Sequence, residues 1–93
     1  MALDPSARLR IVPAATRMFG SDLLVNHGGA TAPVQRLVGS GPELWFAFGR
    51  GLTITEAANE VSSKLGTVVP GIEDSVQRFA AALVEAGLAD VAS

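Results

Sequence analysis

Three apolar stripes at helical spacing dominate the second half of the sequence and limit the folds it can adopt. The stripes are Leu44, Trp45 and Phe48; then Ile54, Ala57, Ala58, Val61 and Leu65; then Ile72, Val76, Phe79, Ala80 and Leu83. Residues three and four apart share one face of a helix, so each stripe predicts a short amphipathic helix with one buried side. We therefore expect three helices that pack on a common core.

Residues that cap and end helices stand at the borders of these stripes. Ser40 lies three residues before Glu43, and Thr53 three before Glu56, so both pairs fit a capping box. Gly49-Arg50-Gly51 is expected to end the first helix, because glycine leaves the helical backbone region easily. Gly66 and Gly87 are expected to end the second and third helices in a similar way.

The third helix has the clearest ends. It is predicted to begin after Pro70-Gly71, with Glu73 and Asp74 near the positive end of its dipole. Gly87 suits the left-handed conformation of a Schellman closure, in which Leu88 folds back onto Leu83. Because capping explains Glu73 and Asp74, we interpret them as helix-stabilising charges and not as an acid–base pair.

The first third of the chain has the character of β-structure. Arg8–Val12 alternates polar and apolar residues, and 23–25 is a short apolar run. His27-Gly28-Gly29 predicts a tight turn that leads into a second hairpin arm at 31–37. Pro33 cannot donate to a strand ladder, so this arm is predicted to lie at the rim of its sheet, where a guest strand can dock.

Composition sets the broad class. A chain of 93 residues, 48% of them hydrophobic, predicts a single domain spanning 1–93, with residues 1–7 and 91–93 expected to fray. Without cysteine it has no disulfide or thiolate metal site. Its apolar runs are shorter than a membrane span, and its first residues do not resemble a secretion signal, so we expect a cytoplasmic protein without a membrane partner.

Few residues are candidates for catalysis. His27 is the one histidine and stands beside two glycines, so a turn role explains it better than a ligand or nucleophile role. Trp45 is a candidate ligand anchor, but its spacing with Leu44 and Phe48 favours the core. The sequence therefore predicts a binding protein with no enzymatic activity, no cofactor and no metal.

The order of several motifs is similar to that of the PqqD-like family, also known as RiPP precursor peptide recognition elements. The motifs are a strand ending in Leu37, the Leu44-Trp45 pair, the Gly51-Leu52-Thr53-Ile54-Thr55-Glu56 helix entry, and the close at Phe79, Leu83 and Gly87-Leu88. Together they cover the chain from about Leu23 to its end. The sequence departs from the family where Val38 replaces a frequent asparagine and where Pro33 falls in the receiving strand.

The resemblance implies an α+β winged helix-turn-helix fold, with a three-stranded antiparallel sheet packed on three helices. It also implies a peptide chaperone that binds the leader segment of a ribosomally made precursor peptide by strand addition. The chaperone presents it to a modifying enzyme, either a radical SAM enzyme or a lasso-type protease or cyclase. The implied contact residues are Val34, Gln35, Arg36, Leu37 and Val38 on the strand, and Ser75, Arg78, Phe79 and Ala82 on the third helix.

Two other functions remain open from the sequence. A winged-helix DNA-binding regulator has the same helix order, but its reading helix would carry Arg78 alone among Glu73, Asp74 and Glu85. The net charge of −2 and scattered basic residues argue against a nucleic acid partner. The other alternative is an adaptor that forms a homodimer through the edge strand, since an exposed edge accepts a second copy as readily as a peptide.

Overall fold

The computed structural model describes residues 3–26, 34–66 and 70–92. Within these ranges the chain forms, in order, β1 (Arg8–Ile11), β2 (Ala15–Phe19), β3 (Asp22–Asn26), β4 (Gln35–Leu37), α1 (Gly41–Gly49), α2 (Ile54–Leu65), α3 (Ile72–Glu85) and β5 (Ala89–Ala92). The predicted α+β class is confirmed. The residues of the predicted turn at 27–29 and of the strand start at 31–33, including Pro33, lie outside the described ranges.

The three helices follow the predicted apolar stripes. Leu44, Trp45 and Phe48 of α1 are buried, which confirms that Trp45 belongs to the core. The stripe of α2 is buried from Ile54 to Val61, whereas Leu65 is 58% exposed, so its predicted core position is wrong. It lies in the last turn of α2, beyond the buried part of the helix. On α3 the buried stripe is Val76, Ala80 and Leu83, flanked by the half-buried Ile72 and Phe79.

The strands form two small antiparallel sheets. One contains β2, β3 and β4 in that order, and the other pairs β1 with β5. The predicted pairing of the run at 23–25 with the arm at 31–37 is confirmed for the described part of the arm, because Leu23 faces Leu37 and Val25 faces Gln35. Arg8–Ile11 is a strand, in agreement with the alternation predicted for Arg8–Val12, but it pairs with β5, and the third strand of the larger sheet is β2.

One of the two predicted capping boxes is present. Thr53 Oγ1 accepts from the Glu56 backbone N–H at 3.1 Å, and Glu56 Oε1 accepts from the Thr53 N–H at 2.8 Å. Ser40 makes no side-chain cap, so the Ser40–Glu43 box is wrong. Its backbone has φ −81° and ψ −3°, in the helical region, whereas a capping side chain is presented from extended backbone. Glu43 pairs with Lys64 at 3.4 Å instead.

The Schellman closure of α3 is confirmed in its backbone bonds. The Leu88 N–H donates to the Leu83 carbonyl at 2.9 Å, and the Gly87 N–H donates to the Val84 carbonyl at 3.1 Å. Gly87 has φ 76°, the left-handed conformation that the motif requires. The closure directs the chain into β5, with Leu88 and Ala89 buried.

The described parts of the two chain ends, where fraying is expected, make defined contacts with the body of the domain. Leu3 is buried, and its carbonyl accepts from Gln77 Nε2 at 2.7 Å. The carbonyls of Pro5 and Ala7 accept from N–H groups in the first turn of α2, at 3.0 and 3.2 Å. At the other end, Val91 and Ala92 pair with β1. Each of these backbone groups has a partner, which explains why the ends follow the core.

Both sheets contact the helices through one face. α1 packs against β1, β3 and α2, while α3 packs against α2 and β5. No helix in the described ranges has the length and apolar character needed to cross a membrane.

Candidate functional site

The strand β4 forms one edge of the three-stranded sheet. Its neighbour on one side is β3, and no strand pairs with its other side in the part of the chain that the structure describes. The position at the rim agrees with the prediction. An edge strand has unpaired backbone N–H and carbonyl groups, which makes it a template for an added strand.

The edge strand meets α3 at Gly41, the first residue of α1. A methyl group placed on Gly41 would lie 3.1 Å from Leu37 Cβ and 3.3 Å from Phe79 Cε1. Leu37 at the end of β4 and Phe79 in the middle of α3 therefore both lie close to Gly41, which stands between them. Gly41 is itself buried, and its N–H donates to the Val38 carbonyl in the turn that leads from β4 into α1. We call the surface between β4 and α3 the strand–helix groove.

We call the flank of α3 that contains Phe79, the residue of this helix nearest to Gly41, the helix wall of this groove. Ser75, Phe79 and Ala82 follow the i, i+4, i+7 spacing and so lie along one side of the helix. Ser75 and Ala82 are exposed, and Phe79 is half-buried beside the core. Arg78 is exposed one position further around the helix, at the outer border of the wall. The four predicted helix residues therefore share one arc of α3.

The five predicted strand residues are divided between the two faces of the sheet. Leu37 faces the same side as the buried Leu23, and Gln35 the same side as the buried Val25. Because side chains alternate along a strand, Val34, Arg36 and Val38 point to the opposite face. Leu37 is 8% exposed, so it forms the floor of the strand–helix groove and is not a free contact surface.

Both predicted site arginines have carboxylate partners. Arg36 Nε donates to Asp22 Oδ2 at 2.8 Å, and Nη2 contacts the same oxygen. Arg78 Nη2 lies 3.3 Å from Asp74 Oδ2, one helical turn earlier. The Arg78–Asp74 pair is exposed on both sides and contributes at most about 1 kcal/mol, so a carboxylate of a bound peptide can exchange with Asp74 at modest cost. Only Arg78 is placed at the groove, since Arg36 points away from α3.

Two carboxyl groups of the described chain have a shifted pKa, and each accepts hydrogen bonds within a turn or helix cap. The Thr53 backbone N–H, helped by the Thr53 hydroxyl and the charge of Arg8, lowers the pKa of Glu56. The Ser6 hydroxyl and backbone N–H lower the pKa of Asp4. Both groups lie at chain turns and helix starts, far along the sequence from β4. No group of three or more metal-ligating side chains occurs among the described residues, which do not include His27.

A second concave surface lies on the other flank of α3. It has a volume of about 350 Å³ and is lined by Leu3, Asp74, Gln77, Arg78, Ala81, Ala82 and Glu85. Sequence reasoning missed it because its wall includes Leu3, which was expected to fray. Arg78 and Ala82 border both this cavity and the strand–helix groove, so the two surfaces are separated by one ridge of α3.

Comparisons of the chain with models of protein families, with curated proteins and with solved structures find no match.

Proposed function

We propose that the protein is a cytoplasmic peptide chaperone of the PqqD-like type, which binds the leader segment of a ribosomally made precursor peptide and catalyses no reaction itself. In this proposal the sheet and helices form the winged helix-turn-helix arrangement of that family. The observation that carries the proposal is the edge of β4 that no described strand pairs with, together with the approach of Leu37 and Phe79 at Gly41.

The physical basis is strand addition. An extended peptide that pairs with β4 gains backbone hydrogen bonds along the edge, and these give affinity for many sequences. Its alternate side chains then point towards α3, where Phe79, Ser75 and Ala82 offer a mixed apolar and small surface. The strand thus supplies affinity and the helix wall supplies selectivity. The edge is only three residues long, which limits unwanted pairing with other chains.

The partner enzyme in this proposal modifies the precursor while the leader is held. A radical SAM enzyme and a lasso-type protease or cyclase are the two classes that the family resemblance offers. Of the predicted contact residues, β4 contributes Arg36 and α3 contributes Arg78, and each arginine is paired with a carboxylate. These residues therefore do not form the unpaired basic stripe that a phosphate backbone requires. For this reason we favour a peptide over DNA as the ligand.

The test is an amide chemical-shift titration of ¹⁵N-labelled protein with a synthetic leader, taken from a short precursor peptide encoded beside the gene. Saturable shifts concentrated in 34–38 and 72–82 are expected, with weak dependence on salt. Absence of shifts with the leader, together with salt-sensitive shifts along α3 on addition of duplex DNA, would contradict the proposal and favour a DNA-binding regulator.

A matched pair of variants separates groove binding from a general effect of charge. Ala82→Arg places a long side chain on the exposed helix wall, and Asn59→Arg makes a similar change at an exposed position of α2. Both sites accept arginine as a good helix former. We expect Ala82→Arg to weaken leader binding by about tenfold or more, roughly 1.4 kcal/mol, while Asn59→Arg leaves it unchanged. An equal loss of leader affinity in the two variants would show that the leader does not bind in the strand–helix groove.

A further inference from the structure

The face of the three-stranded sheet that points away from the core carries exposed apolar side chains, and most of it lies outside the strand–helix groove. We call it the outer sheet face and define it by Arg17 and Phe19 of β2, Leu24 of β3, and Val34 and Val38 on either side of β4. Arg17 pairs with Leu24 across the sheet, and Leu24 pairs with Arg36, so these three side chains share one face. The buried Leu23, Val25 and Leu37 occupy the opposite face.

The apolar side chains of this face are open to solvent. Phe19 is 64% exposed, Val38 59% and Val34 53%. Every residue of β2 is exposed, so no described helix or strand covers this strand on either face. Between the strands lies a cavity of about 210 Å³, lined by Ala15, Thr16, Arg17, Leu24, Asn26 and Val34. A hollow of this size accepts one large apolar side chain. Phe19 and Val38 lie at one end of the face, on either side of Asp22, and Val34 lies at the other end beside the cavity. Exposed apolar side chains beside a concave surface are typical of a contact surface.

Arg17 stands out among the basic residues of the chain. Six of the seven lysines and arginines form ion pairs: Arg8, Arg10, Arg36, Arg50, Lys64 and Arg78. Arg17 forms none among the described residues, although acidic residues outnumber basic ones in the sequence. Its position on the cavity wall therefore puts an uncompensated positive charge beside an apolar hollow.

The charge of the face indicates what can cover it. Arg17 and Arg36 against Asp22 leave one net positive charge on this face, whereas the whole chain has a net charge of −2. Two copies stacked through this face would bring the excess positive charges together, which disfavours a symmetric dimer. A partner surface with carboxylates around an apolar residue would complement both the positive charge of Arg17 and the cavity beside it.

We propose that the outer sheet face is a docking site for an acidic protein surface, which inserts one apolar side chain into the cavity and places a carboxylate against Arg17. The site lies on the opposite face of the sheet from the helix wall of the strand–helix groove. It therefore goes beyond the peptide-binding function and stands even if that function is disproved.

The experiment uses two small probes that share a phenyl group and differ in charge, 4-phenylbutyrate and 4-phenylbutylamine. Neither can add a strand to β4, so shifts on the outer sheet face report binding there without strand addition. We expect amide shifts in 15–19, at Leu24 and at Val34, with a dissociation constant about three- to fivefold lower for the carboxylate than for the amine. Arg17→Gln should remove this difference, and Arg10→Gln, a change on β1, should preserve it.

Three results would overturn the proposal. Equal binding of the two probes to the wild type would show that Arg17 confers no preference for acidic ligands. Shifts confined to the strand–helix groove would show that the cavity does not bind apolar groups. A concentration-dependent dimer in sedimentation velocity, lost in Phe19→Ser and retained in Phe46→Ser, would identify a second copy as the occupant; Phe46 is the other strongly exposed phenylalanine, on α1.

Discussion

At the residue scale, the contact between Thr53 and Glu56 links three parts of the chain. The reciprocal hydrogen bonds of these residues satisfy two backbone donors at the start of α2. Arg8 Nη1 lies 3.5 Å from Glu56 Oε1, so the same carboxylate also contacts β1. Glu56 is exposed, and its value to the fold lies in ordering the backbone rather than in burying a charge.

Thr53 and Ser40 provide a matched test of capping. Thr53→Ala should lower the free energy of unfolding by about 1 kcal/mol, because it removes the acceptor for the Glu56 N–H. Ser40→Ala should change it by less than about 0.5 kcal/mol, since Ser40 makes no side-chain cap although it occupies the equivalent position. Urea unfolding of the two variants measures both values, and a larger loss for Ser40→Ala would contradict the assignment of the caps.

At the scale of elements, the helices were predictable and part of the β-structure was not. Helical stripes such as Val76, Ala80 and Leu83 repeat over several turns, so their period is visible without knowledge of the partner surface. β2 has no such signal, because all five of its residues are exposed and neither face alternates against a core. β5 also has no recognisable sequence pattern, since only Ala89 of its four residues is buried.

The residues of the candidate groove were inferred from the order of the motifs and not from a local pattern, and they stay a prediction. Phe79 belongs to a clear helical stripe, whereas Val34-Gln35-Arg36-Leu37 has no such signal. Which of Gln35 and Arg36 lies on the core side was not predicted, because it depends on the register with β3. Register is a property of two strands and cannot be obtained from one of them alone.

Two glycines at the ends of helices test how backbone conformation stabilises these elements. Gly66 ends α2 with φ 72°, while Gly49 is the last residue of α1 with φ outside the positive region, and an added methyl group meets no atom within 4 Å at either site. Gly66→Ala should therefore cost about 1 kcal/mol through backbone strain alone. Gly49→Ala should instead stabilise by about 0.5 kcal/mol. Thermal unfolding of the two variants should move in opposite directions, and a shared direction would contradict this account.

At the scale of the whole molecule, the two ends of the chain close the domain together. β1 and β5 pair with each other, and the segment before β1 supplies carbonyl acceptors to the first turn of α2 and to Gln77 of α3. These contacts of the segment before β1 could not be predicted from the sequence, since the first residues of a chain commonly fray. The partners lie up to 74 residues away, so only the folded chain brings them together.

This closure predicts an unusual cost for a change near the N-terminus. Leu3 is 8% exposed and belongs to the core cluster, whereas Leu65 is 58% exposed at the end of α2. Leu3→Ala should lower the free energy of unfolding by about 2 kcal/mol, at the lower end for a core leucine because the site is close to a chain end. Leu65→Ala should change it by no more than about 0.5 kcal/mol. Urea unfolding decides between the two descriptions of the N-terminal segment: a cost for Leu3→Ala as small as that for Leu65→Ala would mean that the segment is frayed and the core ends at β1.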